Sequence, residues 1–172
     1  MQSPDSTNEL FHLAAGYVNH TGSDIFLTGK AGTGKTTFLR FIRNHSFKKS
    51  VVVAPTGVAA INAGGMTIHS FFQLPFGSFV PEKRFSSDGN ANLVDRHTLL
   101  GNIRFNAERR ELIKELELLI IDEVSMLRAD LLDAMDEVLR SVRRKYSVPF
   151  GGVQVLYIGD LFQLPPVVKQ NE

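Results

Sequence analysis

The sequence predicts an α/β fold, a parallel β-sheet flanked by helices, on three observations. Short continuous apolar runs alternate with segments of helical periodicity, the arrangement of successive βαβ units. A glycine-rich turn, Gly29 to Thr36, joins one apolar run to a helical segment. A second run, Leu118-Leu119-Ile120-Ile121, ends abruptly in Asp122 and Glu123, as expected of a strand covered on both faces that emerges into water at its carboxyl end.

Thr7 to Val18 predicts a first helix. Asp5, Ser6 or Thr7 can cap it, and Leu10, Leu13, Ala14 and Val18 share one face. Asp24 to Thr28 predicts a strand, and Thr36 to Ile42 the helix after the glycine turn. Val51 to Ala54 is a short apolar strand, ended by Pro55 and Gly57 before a small-residue helix over Val58 to Ala63. Pro75 to Asn92 is rich in Gly, Pro, Ser and Asn and predicts a long loop, followed by a charged helix near Asn106 to Leu116. Leu131, Leu132, Met135, Val138, Leu139 and Val142 mark one face of the helix between the Leu118 strand and a last strand, Val153 to Ile158. Four parallel strands are the minimum count.

The 172 residues suit one domain with a well-buried core. Cysteine is absent, which excludes disulfides and thiolate metal sites, and the five histidines lack the H-x-x-x-H spacing of a zinc helix. No zinc is expected. The amino-terminal residues carry no basic and apolar signal region, and no apolar run is long enough to cross a bilayer, so a cytoplasmic protein without a membrane partner is expected. A net charge of +1 gives no overall attraction for nucleic acid. Any strand binding must use a local groove.

Gly29-Lys30-Ala31-Gly32-Thr33-Gly34-Lys35-Thr36 fits the pattern G-x-x-x-x-G-K-[ST]. A loop that wraps phosphate must aim successive N–H groups inward, and glycine permits the dihedrals and close approach this needs. Lys35 supplies charge for the β- and γ-phosphates, and Thr36 opens the following helix with a hydroxyl that can hold Mg²⁺. A nucleoside triphosphate is the expected ligand. Asp122 and Glu123 then stand at the same carboxyl edge of the sheet. Asp122 suits the Mg²⁺ hydration shell, and Glu123 suits a base that deprotonates water for attack on the γ-phosphate. Gly159 to Val167 follows the last strand, and the amide of Gln163 can donate to the γ-phosphate and lose that partner after hydrolysis.

Five segments occur in a telling order: Gly29 to Thr37, Ala54 to Ala60, Thr67 to Phe72, Ile121 to Met126 and Gly159 to Val167. Together they resemble the first motor domain of superfamily 1 DNA helicases of the Pif/RecD-like branch. The resemblance implies a RecA-like P-loop NTPase domain spanning residues 1–172. It also implies an ATP-driven motor that moves five-prime to three-prime along single-stranded DNA and unwinds duplexes or quadruplexes, with single-stranded DNA or DNA forks as partners. It assigns ATP contacts to Gly29, Ala31, Gly32, Thr33, Gly34, Lys35, Thr36 and Thr37, and metal contacts to Thr36 and Asp122. Catalytic roles fall to Lys35, Glu123 and Gln163. Strand contacts fall to Pro55, Thr56, Gly57, Thr67, His69, Ser70 and Phe72. Thr56, Thr67 and Ser70 can hydrogen-bond phosphates, while His69, Phe71 and Phe72 offer rings to a base unless the two phenylalanines are core residues of a short helix.

The sequence departs from the family pattern in two ways. The first helix lacks the glutamine that meets the adenine edge in relatives, leaving Asn8 or, by preference, His12 as candidates. Glu172 follows closely on the third catalytic segment, so the expectation is a first motor domain without its second. Such a chain should bind ATP and Mg²⁺ yet hydrolyse slowly and not unwind, since a missing arginine finger costs on the order of 10³ to 10⁵ in turnover. Two other classes share the phosphate loop. A P-loop kinase needs an acceptor pocket and an arginine-rich lid; a non-catalytic nucleotide switch has no use for a complete Asp-Glu pair.

Overall fold

A computed structural model describes residues 8–81 and 93–166. Helix α1 (Glu9–His20) precedes strand β1 (Ile25–Thr28), and α2 (Lys35–His45) follows the glycine turn. Next come β2 (Ser50–Ala54), α3 (Gly57–Ala63), β3 (Met66–Thr67) and α4 (Ile68–Phe72). A small pair, β4 (Ser78–Val80) and β5 (Leu93–Asp95), leads to α5 (Arg96–Asn102) and α6 (Ala107–Glu115). β6 (Leu118–Ile121), α7 (Ala129–Arg143) and β7 (Gln154–Gly159) follow.

The main sheet is five-stranded and parallel, in the order β1-β7-β6-β2-β3. Alternation along β6 divides its side chains between two cores. Leu118 and Ile120 face α1 and α2 with Val18, Phe38, Leu39, Ile42, Leu156 and Ile158. Leu119 and Ile121 face the other side with Phe71, Phe72, Met135, Val138 and Val155. This two-sided covering is why the strands read as unbroken apolar runs.

Three expectations need correction. Leu10 and Leu13 do not face the core; they are exposed, while Val18 is buried and Ala14 packs against the core as expected, and Ala15 joins them. The register is set by Phe11, whose ring meets Phe38 and Phe41 edge-on at 5.1 and 5.0 Å. The cap of α1 is Asn8, whose Oδ1 accepts from Phe11 N–H at 3.0 Å; Asp5, Ser6 and Thr7 lie outside the described residues. Pro75 to Asn92 is not all loop, because β4 falls within it and pairs with β5, while residues 82–92 lie outside the described residues.

Parallel strands bring all their carboxyl ends to one edge. The register Thr28↔Gly159, Ile121↔Tyr157, Val53↔Ile121 and Ala54↔Thr67 lays five segments side by side along it. In order these are the glycine turn, the Gly159 segment, Asp122-Glu123, Pro55-Thr56 and Thr67. No helix among the described residues is long and apolar enough to cross a membrane.

Candidate active site and adjoining groove

The turn from Gly29 to Gly34 is built from its own backbone. Gly34 holds φ at 91° and occupies the cap position of α2, where it has no side chain to accept from the helix. The first N–H groups of α2 therefore stay open toward the turn, as an anion requires. Thr33 Oγ1 donates to the Lys30 carbonyl at 2.8 Å, and a Cβ on Gly29 would lie 2.5 Å from that hydroxyl. The Lys35 ammonium donates to the carbonyls of Gly29 and Lys30. It is thus already folded over the turn, where a phosphate would exchange with these carbonyls. Thr36 and Thr37 stand exposed in the first turn of α2, and Ala31 and Gly32 are exposed in the loop.

A cavity of about 280 Å³ opens beside this turn, with Gly29, Gly34, Lys35 and Phe38 on one side and Asn8, Leu10 and Phe11 of α1 on the other. His12 is not among its lining residues; its side chain is exposed and edge-on to Phe11. Of the two adenine candidates, the helix turns Asn8 toward the cavity. One helical position separates Phe11, which packs inward, from His12, which cannot.

Asp122 and Glu123 follow β6, with Asp122 N–H donating to the Val53 carbonyl at 2.9 Å. Burial pushes the Asp122 carboxyl above its ordinary range; a hydrogen bond from the Glu123 backbone and the charge of Lys35 pull the other way, and the charge of Glu123 adds to the rise. A partly buried carboxylate beside a second carboxylate favours a hard cation. The fit to Mg²⁺ rests on this oxygen set together with the exposed Thr36 hydroxyl. Glu123 itself sits in the left-handed region at φ 53° and ψ 47°, uncommon for a side chain with a Cβ. That conformation turns the chain into a short 3₁₀ segment, Val124–Met126. Gly159 at the end of β7 is packed under it, so closely that a Cβ there would stand 2.8 Å from Val124 Cγ1 and 2.9 Å from Val124 N.

A second, open cleft of about 680 Å³ is lined by Thr56, Asn62, Glu123, Ser125, Phe162 and Gln163, among others. Gln163 is exposed, and its N–H donates to the Asp160 carbonyl at 2.9 Å. The carboxylate of the buried Asp160 accepts from Phe162 N–H at 3.1 Å, which shapes the turn that presents Gln163. The Ser125 hydroxyl is buried without a hydrogen-bond partner among the described residues. The candidate base, the γ-phosphate candidate and a strand-contact candidate thus share one space.

Pro55, Thr56 and Gly57 lie where β2 passes into α3, and Thr67, His69 and Ser70 where β3 passes into α4. Thr56 Oγ1 accepts from Ala59 N–H and Thr67 Oγ1 from Ser70 N–H, each at 3.2 Å. These caps fix both hydroxyls while leaving each O–H proton able to donate. Phe72 requires correction as a strand contact. It is fully buried, Phe71 is 1% exposed, and the two rings pack edge-on at 4.8 Å. Both serve the core, with the Arg109 guanidinium over Phe71 at 5.1 Å. The exposed ring is Phe76, stacked on His69 with centroids 5.4 Å apart and planes 21° apart. Burial, and then the charge of Arg128, hold the His69 imidazole below its ordinary pKa against the pull of Asp130.

Arg143, at the carboxyl end of α7, is engaged by backbone carbonyls. Its Nη1 donates to the carbonyls of Ile113, Lys114 and Leu116 at 3.0, 2.6 and 2.8 Å, and Nε to that of Gly151 at 2.8 Å. It ties α6 to α7.

The profile of the PIF1-like helicases matches residues 5–172. The ATP-dependent DNA helicase PIF1 of Saccharomyces cerevisiae is 37% identical over 153 residues, covering 86% of this chain and 16% of that protein. The zebrafish (Danio rerio) ATP-dependent DNA helicase PIF1 is 36% identical, covering 88% of this chain and 21% of that protein. Among solved structures, the Pif1 helicase from Bacteroides in complex with ADP-AlF3 and ssDNA superposes with a TM-score of 0.82 at 44% identity, over 98% of this chain and 35% of that one. Candida albicans Pif1 helicase gives a TM-score of 0.72 at 34% identity, again over 98% of this chain and 35% of that one. The chain therefore spans about a sixth to a third of the proteins it matches, and within that span it belongs to the PIF1-like helicase family.

Proposed function

We propose that this chain is the ATP-hydrolysing first motor domain of a DNA helicase, coupling Mg²⁺-ATP at the glycine turn to single-stranded DNA or a DNA fork at the adjoining groove. The observation that carries the reading is the single cleft holding Thr56, Glu123 and Gln163. Ligands at the two ends of this cleft would act on one short segment of backbone.

In this reading Lys35 leaves the carbonyls of Gly29 and Lys30 for the β- and γ-phosphates, and the open N–H groups of α2 hold the same anion. Gly32, Thr33 and Gly34 shape the turn around it. Thr36 and Asp122 would hold Mg²⁺, which neutralises phosphate charge when bound. Glu123 takes a proton from water as that oxygen bonds to the γ-phosphorus and the bridging β–γ bond breaks, giving ADP and phosphate. Gln163 donates to the γ-phosphate before cleavage. Leu10, Phe11 and Phe38 would flank the base, with the Asn8 amide nitrogen toward its edge. Pro55, Thr56, Gly57, Thr67, His69 and Ser70 form the strand side through hydroxyls, backbone and one ring, which suits a net charge of +1. A second motor domain in the parent protein would supply the arginine and the opposing face of the groove, so translocation and unwinding belong to the pair.

The test is phosphate release from Mg²⁺-ATP by this chain with a single-stranded oligonucleotide titrated in. Release that rises with the oligonucleotide and vanishes in Lys35→Ala supports the reading. Release indifferent to Lys35→Ala would sink it.

A further inference from the structure

Phe76 is 91% exposed, whereas Leu74 and Phe79 on either side of its turn are 7% and 6% exposed. Scattered exposed apolar residues are ordinary, but this ring has three distinguishing features. Its partner is the imidazole of His69, in a near-parallel stack. The turn that carries it is held at its far end. Arg128 donates to Ser78 Oγ at 2.6 Å and to both Asp130 oxygens at 2.9 Å, while Asp130 Oδ2 accepts from Phe79 N–H at 3.1 Å. Gly77, at φ 138°, reverses the chain between ring and anchor in a conformation side chains with a Cβ rarely adopt. Finally, the helix that carries His69 is capped by Thr67, which pairs with Ala54 directly beside Pro55 and Thr56.

An aromatic ring with one face on another ring and the other in water, on an anchored turn beside a groove, matches what an unpaired base needs. Stacking on an open π-face adds to hydrophobic contact for a nucleobase and requires no sequence. The cavity that Phe76 lines sets His69, Arg128 and Asp130 beside an apolar wall, a mixture of polar groups and flat apolar surface that suits a nucleotide.

We infer that Phe76 is a base-stacking residue of the strand groove, extending the His69 ring outward so that an unpaired nucleobase of a single strand caps a His69–Phe76–base stack. This rests on the strand reading above and adds to it a contact that the sequence motifs do not include.

The chain has no tryptophan, so Phe76→Trp introduces one indole at the site. A single-stranded oligothymidylate is titrated into this variant while anisotropy of the labelled oligonucleotide reports binding independently. Indole emission should be quenched in step with binding. Phe47→Trp, at an 84%-exposed ring before the amino end of β2, should show no such quenching. Phe76→Ala should weaken binding by about 5- to 150-fold and Phe76→Leu by about 2- to 10-fold, both with an unchanged melting temperature, since leucine keeps the apolar contact but not the π-face. Binding by anisotropy without quenching at position 76, or full affinity in Phe76→Ala, would overturn the inference and leave the groove standing. Wild-type affinity in Phe76→Leu alone would assign the ring to apolar contact instead. No oligonucleotide binding at all would remove the groove and this residue together.

Discussion

The proposed nucleotide edge and the proposed strand groove lie along one edge of one sheet, yet their residues are specified in different ways. At the nucleotide edge the chemistry constrains the backbone. Gly34 must hold a positive φ, Gly159 must let Val124 approach, and Asp122 must follow a fully buried strand. In the groove it is the exposure of side chains that matters, and neighbouring residues of one type part company: Phe72 is buried and Phe76 is in water. A motif that dictates backbone geometry can therefore be read from its letters, whereas a groove lined by rings and hydroxyls depends on which way each ring falls.

The sharpest break between the two regions comes from Glu123→Gln, which keeps shape and removes the base. Phosphate release should fall by about 10² to 10⁴ while Mg²⁺-ATP affinity, read by calorimetry, stays; Lys35→Ala should lose the affinity instead. Equal loss of affinity in both would show that Glu123 binds rather than catalyses. Next in size, Phe72→Ala should cost about 3–5 kcal/mol of stability in denaturant unfolding, against about 0.5 kcal/mol or less for Phe76→Ala. Similar costs would mean that the two rings have been assigned to the wrong environments.

Gly159→Ala should cost about 1–3 kcal/mol, because the new Cβ meets Val124 and something must move. Its release rate should also fall, since the displaced segment carries Glu123. A melting temperature and rate unchanged by this substitution would show the turn to be loosely held.

Asp122 gives a smaller, pH-dependent effect. Its folded pKa lies above the unfolded value, chiefly through burial, so the folded chain binds more protons between the two values. Stability therefore falls as pH rises through that window and stays lower above it. Without Mg²⁺, Asp122→Asn should melt above wild type at neutral pH and lose that margin below the ordinary aspartate range. A margin independent of pH would assign the gain to something other than charge. Smallest of all, His12→Ala should leave the preference for ATP over GTP unchanged, as measured by competition, because its ring lies outside the cavity. A changed preference would redraw the base pocket around α1.

Much of the fold was legible because strands covered on both faces have no polar alternation to confuse them. Leu118–Ile121 reads to the residue, and the ends of β1, β2 and β7 shift by one. What escaped was short or two-faced. β3 has two residues, too few to carry a pattern, and β4 lies in a Gly- and Pro-rich stretch that argues for loop. On α1 two apolar stripes overlap, Leu10-Leu13-Tyr17 and Phe11-Ala15-Val18, and only the packing of Phe11 against Phe38 and Phe41 decides between them. The candidate site follows the same division. Lys35, Asp122, Glu123 and Gln163 were marked by position after strands. Ser125 and Phe76 were not, since a buried hydroxyl without a partner and an anchored exposed ring are properties of the folded chain.

The central claim is that nucleotide and strand meet in the cleft shared by Thr56, Glu123 and Gln163, so their binding must be reciprocally linked. It is tested most directly by the affinity of Glu123→Gln for a single-stranded oligonucleotide, with and without saturating Mg²⁺-ATP, where hydrolysis cannot disturb the equilibrium. The account predicts that nucleotide shifts this affinity by about 5-fold or more. An affinity identical in both conditions, with nucleotide shown to be bound, would contradict it.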